Sequence, residues 1–291
     1  MEWSNAKKFV IVLLVLLNLV LAGLNYRQRQ ENTMTSAQER AIFELLSQNG
    51  ITLYTNLLTD ASPMSRLSAE MPSYSKETLE RLFFNGEKTT VTVGADSTVY
   101  HGKDSTLTME GASGTLERNG VRMGKENLSP IVAERTAERF LEQTEFFFGV
   151  YDEPVVQEKE DGFLVSYNGV YKRESIFSNS FSVFVTEGGI RRVMVSYCPV
   201  LGYTGEKKDI CHSDEALLTF LREWRKNEEK TEAAINRIEL GYDRIEPNRK
   251  SADGMVYLEP CYRIYLMERE EPYLINAYTC QMVKKEYSAA E

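Results

Sequence analysis

The feature that most constrains this chain is an apolar run close to its N-terminus. Residues 9–22 are apolar except for Asn18. A membrane-spanning helix requires roughly 20 residues, and the stretch from Trp3 to Tyr26 provides this length if the two aromatic side chains lie at the membrane interfaces. The sequence therefore predicts that residues 1–26 form a short cytoplasmic tail and a transmembrane anchor.

A cleaved secretory signal is the other interpretation of this segment. Lys7 and Lys8 then serve as the basic region, and Val20-Leu21-Ala22 serves as the small-residue cleavage site. The length of the run and its flanking aromatic residues favour the anchor. Both interpretations place the rest of the chain outside the cytoplasm. The anchor predicts a single-pass protein of the cell membrane, with a cytoplasmic N-terminus and an extracellular C-terminal region.

The acidic balance of the chain excludes one class of partner. Lys and Arg number 34 against 43 Asp and Glu, which gives a formal net charge of -9. Four of the basic residues lie within the first 30 positions, so the remainder is more acidic still. Such a surface repels phosphate backbones, and the sequence predicts no nucleic-acid partner.

Residues 27–129 are predicted to form an α+β part of the region that follows the anchor. Apolar residues at helical spacing predict a helix over 31–48, and a second helix over 75–84 has Ser75 as its N-cap. The segment that follows alternates β-branched and polar residues between glycines, which is typical of an antiparallel β-meander. The irregular stretch 119–129 is the predicted boundary.

A repeated pattern over residues 130–291 predicts two copies of one helix-plus-sheet unit. The first copy begins with a helix over 130–147 and continues through four strands. The second begins with the helix SDEALLTFLREW, with Ser213 as its N-cap, and continues through three strands. A helix can cover one face of each antiparallel sheet. The predicted fold class is therefore α+β, with antiparallel sheets each covered by helices.

The four cysteines all follow the apolar run, and their even number permits one or two disulfides outside the cytoplasm. They are Cys198, Cys211, Cys261 and Cys280. One pairing joins Cys198 to Cys211 across a glycine-containing stretch and Cys261 to Cys280 across a hairpin. Four buried thiols that act as small apolar groups in the core are the equal alternative.

The sequence contains no recognisable set of catalytic, cofactor-binding or metal-ligating residues. Two histidines, His101 and His212, are too few for a histidine metal site, and the motifs GxSxG, GxGxxG and GxxxxGK[ST] are absent. Paired carboxylates such as Glu228 and Glu229 lie in charged runs that are typical of solvated surface. The sequence predicts a protein that is not an enzyme and has no catalytic residue, cofactor or metal. An anchored hydrolase that uses carboxylates is a further alternative.

The anchor offers a candidate contact with a partner helix. Asn18 lies near the middle of the apolar run, and Ala22 and Asn25 follow it at helical spacing on the same face. Polar and small residues together favour close pairing of helices in a membrane. The alternative is a tolerated asparagine in an anchor that makes no specific contact.

Several segments of the chain resemble the YycI family, and the tandem units resemble PepSY-like modules. The family segments are MEWSNAKKFVIVLLVLLNLVLAGLNY, SDEALLTFL, IELGY, LEPCYRIYL and YLINAYTCQMV. The resemblance implies a membrane-anchored extracytoplasmic regulator of a two-component system in a Gram-positive bacterium. Its implied partners are a YycH-like sister protein and the WalK-like (YycG-like) sensor histidine kinase of cell-wall homeostasis, which the two restrain, with a homo- or heterodimer as the assembly. In that family the transmembrane helix contacts the kinase, and on this sequence the contact falls on residues 9–24.

A second function is also compatible with the sequence, namely an anchored module that binds a peptide or a cell-wall fragment. Sheets present edges and grooves to which an extended ligand can add. The contact residues of such a module would be Tyr167, Tyr171, Tyr197 and Tyr203. Aromatic residues in strands more often belong to the core, which is the competing interpretation of these four.

Overall fold

The structure is a computed structural model that describes residues 2–226, 232–245, 254–267, 269 and 271–283. Within these ranges the chain forms α-helices and mostly antiparallel strands, which confirms the predicted α+β class. The helices are α1 (Glu2–Glu31), α2 (Ser36–Gln48), α3 (Lys76–Phe83), α4 (Pro130–Phe148) and α5 (Ser213–Trp224). The strands are β1 (Ile51–Leu53), β2 (Met64–Ala69), β3 (Thr90–Val93), β4 (Thr98–His101), β5 (Ser105–Glu110), β6 (Ser113–Arg118), β7 (Val155–Lys159), β8 (Gly162–Tyr171), β9 (Glu174–Thr186), β10 (Gly189–Ser196), β11 (Val200–Lys208), β12 (Ala233–Asp243), β13 (Val256–Leu266), β14 (Tyr273–Asn276) and β15 (Gln281–Met282).

The described residues fall into two compact units, called unit 1 and unit 2 below. Unit 1 takes its residues from Met1–Met64, Lys207–Glu239 and Tyr262–Lys284. Unit 2 takes its residues from Ser65–Glu206 and Leu240–Cys261. Each unit gathers segments that are separate along the chain, whereas the predicted parts are consecutive. The predicted division into consecutive parts stays a prediction.

Two antiparallel meanders, β3–β6 and β7–β10, form the main sheet of unit 2. Strands β3 to β6 pair in sequence order, with Val91 opposite Tyr100 and Leu107 opposite Leu116, so the predicted meander is present. Strand β6 then pairs with β10, β10 with β9, β9 with β8 and β8 with β7. Burial alternates from residue to residue along β8 and β10. Alternation is expected when one face of a sheet is covered.

Helix α4 covers part of this sheet with a narrow apolar stripe. Ala133, Ala137 and Phe140 are buried and recur at helical spacing. They belong to a core that also contains Phe181 and Val193 from the strands beneath, and the ring centroids of Phe140 and Phe181 lie 6.1 Å apart. The two alanines leave room for the helix to lie close to the sheet. The first predicted helix-plus-sheet unit is therefore present.

Helix α3 buries a carboxylate in unit 2. The helix begins at the predicted N-cap, where the hydroxyl oxygen of Ser75 accepts the N–H of Thr78 at 3.2 Å. Glu80 is buried, and its carboxylate accepts the backbone N–H of Thr89 at 2.8 Å and pairs with Lys88 at 3.3 Å. The backbone hydrogen bond from Thr89, together with the nearby Lys88 charge, lowers the pKa of Glu80 to about 2 against the opposing effect of burial.

A close approach of two strands requires glycine at one position of unit 2. The pairing of β8 with β9 is interrupted by a bulge between Asn168 and Gly169. A Cβ at Gly169 would lie 2.6 Å from the Cβ of Asn179, so a larger residue would push the strands apart. The Asn179 side chain accepts the N–H of Cys198 at 2.8 Å and donates to its carbonyl oxygen at 2.9 Å. Both backbone groups of buried Cys198 are thereby satisfied.

Unit 1 contains the second helix-plus-sheet arrangement. Helix α5 packs against β14 and β15, and Phe220 at its centre is fully buried. The Phe220 ring lies 4.9 Å from that of Tyr273 on β14, and the Trp224 ring lies 6.5 Å from the same tyrosine. Strand β1 pairs in parallel with the start of β12, with Ile51 opposite Ala233. The helix of the second predicted copy therefore covers a sheet as well.

Helix α2 of unit 1 begins with a capping box. The hydroxyl oxygen of Thr35 accepts the N–H of Gln38 at 3.3 Å, and the Gln38 side chain accepts the N–H of Thr35 at 2.9 Å. This box starts the helix at Ser36, five residues after the predicted start. The helix ends before Gly50, which has φ +74°, in agreement with the predicted end.

Helix α5 begins at Ser213, and the preceding His212 is its N-cap. The backbone N–H of His212 donates to the Glu215 carboxylate at 3.2 Å. The predicted N-cap at Ser213 is therefore wrong by one residue. The hydroxyl of Ser213 donates instead to the carbonyl oxygen of Leu58 at 2.8 Å, which ties the start of the helix to the segment after β1.

Candidate functional site

Helix α1 exposes an apolar run that is interrupted only by Asn18. Every large apolar side chain from Phe9 to Leu21 is exposed, from 48% at Leu21 to 72% at Phe9. A helix that covers a sheet is apolar along one stripe only, so α1 differs in kind from α4 and α5. Among the residues that the structure describes, no helix combines the length and the apolar character needed to cross a membrane.

The residues predicted to contact a partner helix lie in α1. The side-chain N–H of Asn18 donates to the carbonyl oxygen of Leu14 at 2.9 Å, so part of its hydrogen-bonding capacity is used within the helix. Ala22 is exposed, and the side chain of Asn25 lies outside the described residues. A Cβ added at Gly23 would meet no atom within 4 Å. Their contact with a partner stays a prediction, as does the transmembrane anchor.

The four tyrosines named as contact residues separate into two pairs. Tyr167 is buried, and Tyr197 packs against the same core. Tyr171 and Tyr203 are partly exposed, and their ring centroids lie 5.8 Å apart in an edge-to-face arrangement. Tyr167 and Tyr197 therefore belong to the core, whereas the rings of Tyr171 and Tyr203 are accessible to a ligand.

A tight turn places a lysine over the second tyrosine pair. Lys172 and Arg173 join β8 to β9 with φ values of +50° and +74°, as in a two-residue type I′ turn. The Nζ atom of Lys172 lies 5.2 Å from the ring centroids of both Tyr171 and Tyr203. The Tyr203 hydroxyl donates to the Glu174 carboxylate at 2.7 Å. Burial and this carboxylate raise the pKa of Tyr203 to about 12.

These neighbours define the aromatic patch of unit 2, which consists of Tyr171, Lys172, Glu174 and Tyr203. Tyrosine rings offer a flat apolar face, and the hydroxyl groups offer hydrogen bonds. A lysine near the rings adds a cation–π interaction and a positive charge. The sequence indicated the tyrosines but not their pairing with Lys172, since that geometry depends on the turn and on β11.

The four cysteines carry reduced thiols in this structure. Cys198 and Cys261 are fully buried in unit 2. Cys211 and Cys280 are half-buried in unit 1, and their sulfur atoms and a carboxylate oxygen of Glu215 all lie within 4.8 Å of one another. The proximity of these two cysteines is not predicted from the sequence, because they lie far apart along the chain and no local spacing connects them.

The fold defines the class of the protein, an α+β protein in which helices cover antiparallel sheets. The model of a protein family described as "YycI protein" matches residues 29–278. The chain belongs to the YycI family, which confirms the resemblance given by its sequence segments. Membership assigns the chain to the regulatory proteins of two-component systems.

One solved structure shows the same type of fold, and two others are similar at lower TM-scores. An uncharacterized protein from Eubacterium rectale ATCC 33656 is 11% identical, with a TM-score of 0.52, and the match covers 82% of this chain and 92% of that one. YycH from Bacillus subtilis is 13% identical with a TM-score of 0.44, over 75% of this chain and 56% of that one. The C-terminal domain of YpeB from Bacillus megaterium is 16% identical with a TM-score of 0.35, over 74% and 97%. No curated protein matches the chain.

Proposed function

We propose that this protein is a membrane-anchored extracytoplasmic regulator that restrains a WalK-like sensor histidine kinase together with a YycH-like protein. The contacts are made by α1 within the membrane and by the region that follows it outside the cell. The observation that carries the proposal is the exposed apolar run of α1 in a member of the YycI family.

The exposed run of α1 supports an anchor for a physical reason. A contiguous exposed apolar surface is unfavourable in water and marks a contact with protein or membrane. The apolar run of α1 is interrupted only by Asn18, so its apolar side chains point in every direction around the helix axis. A single protein partner would cover one stripe, whereas lipid covers all directions at once. The helix has 30 residues, which corresponds to about 45 Å at about 1.5 Å per residue.

One face of the helix is suited to a second helix. Asn18 and Ala22 are one turn apart and therefore lie on the same face. Small residues let helix backbones approach, and side-chain hydrogen bonds between helices in a membrane contribute about 1 kcal/mol. Since the Asn18 N–H already donates to Leu14, its carbonyl oxygen is the group that accepts a hydrogen bond from a partner helix.

An association assay in membranes tests the anchor and the partner together. The full-length chain is combined with the sensor kinase of the same organism, in three forms: wild type, Asn18→Leu, and a form with α1 replaced by an unrelated spanning helix. We expect the replacement to abolish association and Asn18→Leu to weaken it about fivefold, the equivalent of about 1 kcal/mol. Equal behaviour of all three forms would contradict the proposal.

A matched pair of substitutions tests the face of the helix. Ala22→Leu adds a bulky side chain on the Asn18 face, and Gly23→Leu makes a similar change about 100° around the axis. Neither new side chain is opposed by the fold, since Ala22 is exposed and a Cβ at Gly23 meets no atom. We expect Ala22→Leu to weaken association and Gly23→Leu to leave it unchanged. The reverse result would place the contact on another face.

The direction of the regulation needs a separate measurement. Autophosphorylation of the kinase in reconstituted membranes is compared with and without this protein and its YycH-like partner. We expect the rate to fall when both are present and to recover when α1 is replaced. A rate that rises on addition would mean that the protein regulates the kinase by activating it.

The aromatic patch supports a second candidate function, the binding of a peptide or a cell-wall fragment. The two tyrosine rings lie edge to face with centroids 5.8 Å apart, and the Nζ atom of Lys172 lies 5.2 Å from both, so the patch combines aromatic surface with polar groups. Tyr203 is 43% exposed, so a ligand can reach its ring. Rigid tyrosines supply contact area at a low cost in conformational entropy.

Titration with soluble muropeptides tests the second function. The full-length protein in nanodiscs is compared with Tyr203→Ala, and with Tyr265→Ala as the control that removes a tyrosine of unit 1. We expect binding by the wild type and the control and at least tenfold weaker binding by Tyr203→Ala. If the wild type shows no binding, or the two variants are equal, the patch is not a ligand site.

A further inference from the structure

A pair of cysteines in unit 1 is arranged for covalent chemistry that the regulatory role does not require. Cys211 lies just before α5, and Cys280 lies in the turn between β14 and β15, with φ +53°. Their sulfur atoms are within 4.8 Å of each other, and each thiol shifts the pKa of the other. The two sulfur atoms would have to approach each other by at most about 3 Å to reach the S–S bond length of about 2 Å.

Backbone hydrogen bonds hold Cys211 in place independently of its sulfur. Its N–H donates to the carbonyl oxygen of Ala277 at 2.8 Å. Its carbonyl oxygen accepts the hydroxyl of Tyr262 at 2.8 Å. The position of Cys211 is therefore set by the strand and turn residues around it, whatever the state of its thiol.

Cys280 is held in the same way from the other side. Its N–H donates to the carbonyl oxygen of Asn276 at 2.8 Å, which closes the turn. Its carbonyl oxygen accepts the hydroxyl of Thr219 in α5 at 2.9 Å. The fold thus brings the two thiols close together before any bond forms between them.

The two thiols differ in acidity. The neighbouring Cys211 lowers the pKa of the Cys280 thiol, and the hydroxyl of Thr219 and the charge of Arg222 act in the same direction. The neighbouring Cys280 and burial raise the pKa of the Cys211 thiol. The thiolate is the nucleophile in disulfide exchange, so Cys280 is the group that reacts first.

We propose that Cys211 and Cys280 form a disulfide when the protein meets a disulfide-bonded oxidant outside the cytoplasm, and that Cys198 and Cys261 stay thiols. The thiolate of Cys280 attacks one sulfur of the oxidant disulfide, which gives a mixed disulfide and releases the other oxidant sulfur as a thiolate. Cys211 then loses its proton and attacks the Cys280 sulfur, and the second oxidant sulfur leaves. Two electrons and two protons pass to the oxidant, which becomes a dithiol.

The other two cysteines are unsuited to this exchange. Cys198 and Cys261 have no solvent-exposed surface, so an oxidant protein cannot reach their sulfur atoms. Burial also raises the pKa of the Cys198 thiol, which lowers its thiolate fraction at neutral pH. The disulfide is therefore confined to one of the pairs that four cysteines allow.

A metal ion held by Cys211, Cys280 and Glu215 is the competing use of the same atoms. The Glu215 carboxylate is exposed and already accepts the N–H of His212. The cluster offers three ligand atoms among the described residues, whereas a structural zinc site uses four. The geometry therefore favours the disulfide, and the metal is an outcome that the experiment distinguishes.

Peptide mapping of the oxidised protein tests the proposal. The full-length protein is incubated with oxidised glutathione and unfolded in the presence of an alkylating agent. It is then digested without a reductant and analysed by mass spectrometry. We expect one linked peptide pair that contains Cys211 and Cys280, a mass lower by two hydrogens, and alkylation at Cys198 and Cys261. A different linked pair, or alkylation of all four cysteines, would overturn the proposal. Stoichiometric zinc bound to the purified protein, without the mass decrease, would overturn it in favour of the metal.

A thermal comparison supplies the control. The disulfide restricts the unfolded chain over a long loop, so we expect the melting temperature of the oxidised wild type to fall on addition of dithiothreitol. Cys280→Ser should melt at one temperature with and without the reductant, and Cys198→Ala should keep the reductant-dependent shift. A wild type that melts at the same temperature in both states, or a Cys280→Ser protein that keeps the shift, would contradict the assigned pair. The peptide map of the wild type decides the question if a variant does not fold.

Discussion

Helices α1 and α5 are both rich in large apolar residues, yet one exposes them and the other buries them. In α1 the side chains from Phe9 to Leu21 are about half exposed or more. In α5 the side chains of Leu217 and Phe220 are completely buried, and the exposed positions are mostly charged. The amount of apolar surface is therefore a poor guide to the role of a helix.

The difference between the two helices lies in the arrangement of polar residues. Helix α5 interleaves Asp214, Glu215 and Arg222 with its apolar residues, so one stripe faces the sheet and the rest faces water. The run of α1 contains a single polar residue, Asn18, and has no stripe to present. An apolar stripe can be covered by one protein surface. Apolar side chains on every side of a helix are covered only by surroundings that contact all of its sides.

The largest expected difference concerns the aromatic centre of α5. Phe220→Ala removes a fully buried ring that packs against Tyr273, and we expect the free energy of unfolding to fall by about 3–5 kcal/mol. Leu16→Ala in α1 removes an exposed side chain and should leave it unchanged. Urea unfolding in detergent, followed by the fluorescence of Trp224, measures both. Equal losses would mean that α1 is packed against the folded region.

The second comparison adds volume instead of removing it. Ala137→Leu in α4 forces a larger side chain against a fully covered position, which should cost about 1–3 kcal/mol. The same substitution at Ala22 in α1 meets open space and should have no effect on unfolding. Thermal unfolding of the two variants checks this. A stable Ala137→Leu protein would show that α4 can shift away from the sheet.

The third comparison concerns helix α2, whose start depends on the hydrogen bonds of its capping box. Thr35→Ala removes the side-chain half of the capping box, and we expect a loss of about 1 kcal/mol. Thr35→Ser retains the hydroxyl oxygen and should behave as the wild type. The measurement is the urea midpoint at constant slope. An unchanged midpoint for Thr35→Ala would mean that packing alone fixes the start of α2.

The smallest effect is confined to acidic pH and concerns the buried charge of α3. The carboxylate of Glu80 has a pKa of about 2 in the folded protein against an ordinary value of 4.5. Its contribution to stability is present above pH 4.5 and is lost as the pH falls through 2. We expect Glu80→Gln to flatten the decline of the thermal midpoint between these values. An identical decline in both proteins would assign the acid sensitivity to other carboxylates.

Local features of the sequence predicted most of the elements. The N-cap Ser75, the alternation through the meander and the apolar spacing of α4 each depend on residues close together in sequence, and the structure contains the corresponding elements. The glycine-containing stretch after Cys198 was not predicted as a strand, although it forms β11 with Gly202 and Gly205 at positive φ. The strand was not predicted because glycines usually mark turns.

The pairing of strands that lie far apart along the chain is not predicted from the sequence. Strand β2 pairs with β13, with Leu67 opposite Leu258, and β9 pairs in parallel with β12, with Ser175 opposite Gly241. A strand pattern shows which face is apolar but does not name the partner strand. The same limit applies to Cys211 and Cys280, whose neighbourhood follows from tertiary contacts.

Helix α1 is continuous from Glu2 to Glu31, although its apolar run ends well before its last residue. The helical backbone between the run and Glu31 therefore fixes the direction in which Asn18 points around the helix axis, relative to the end of the helix. Each residue inserted after Gly23 would rotate the run by about 100° and shift it by about 1.5 Å. Insertion of a whole number of turns would return Asn18 to its original direction around the axis. The number of residues between the run and the end of the helix therefore sets the rotation of the run about the helix axis.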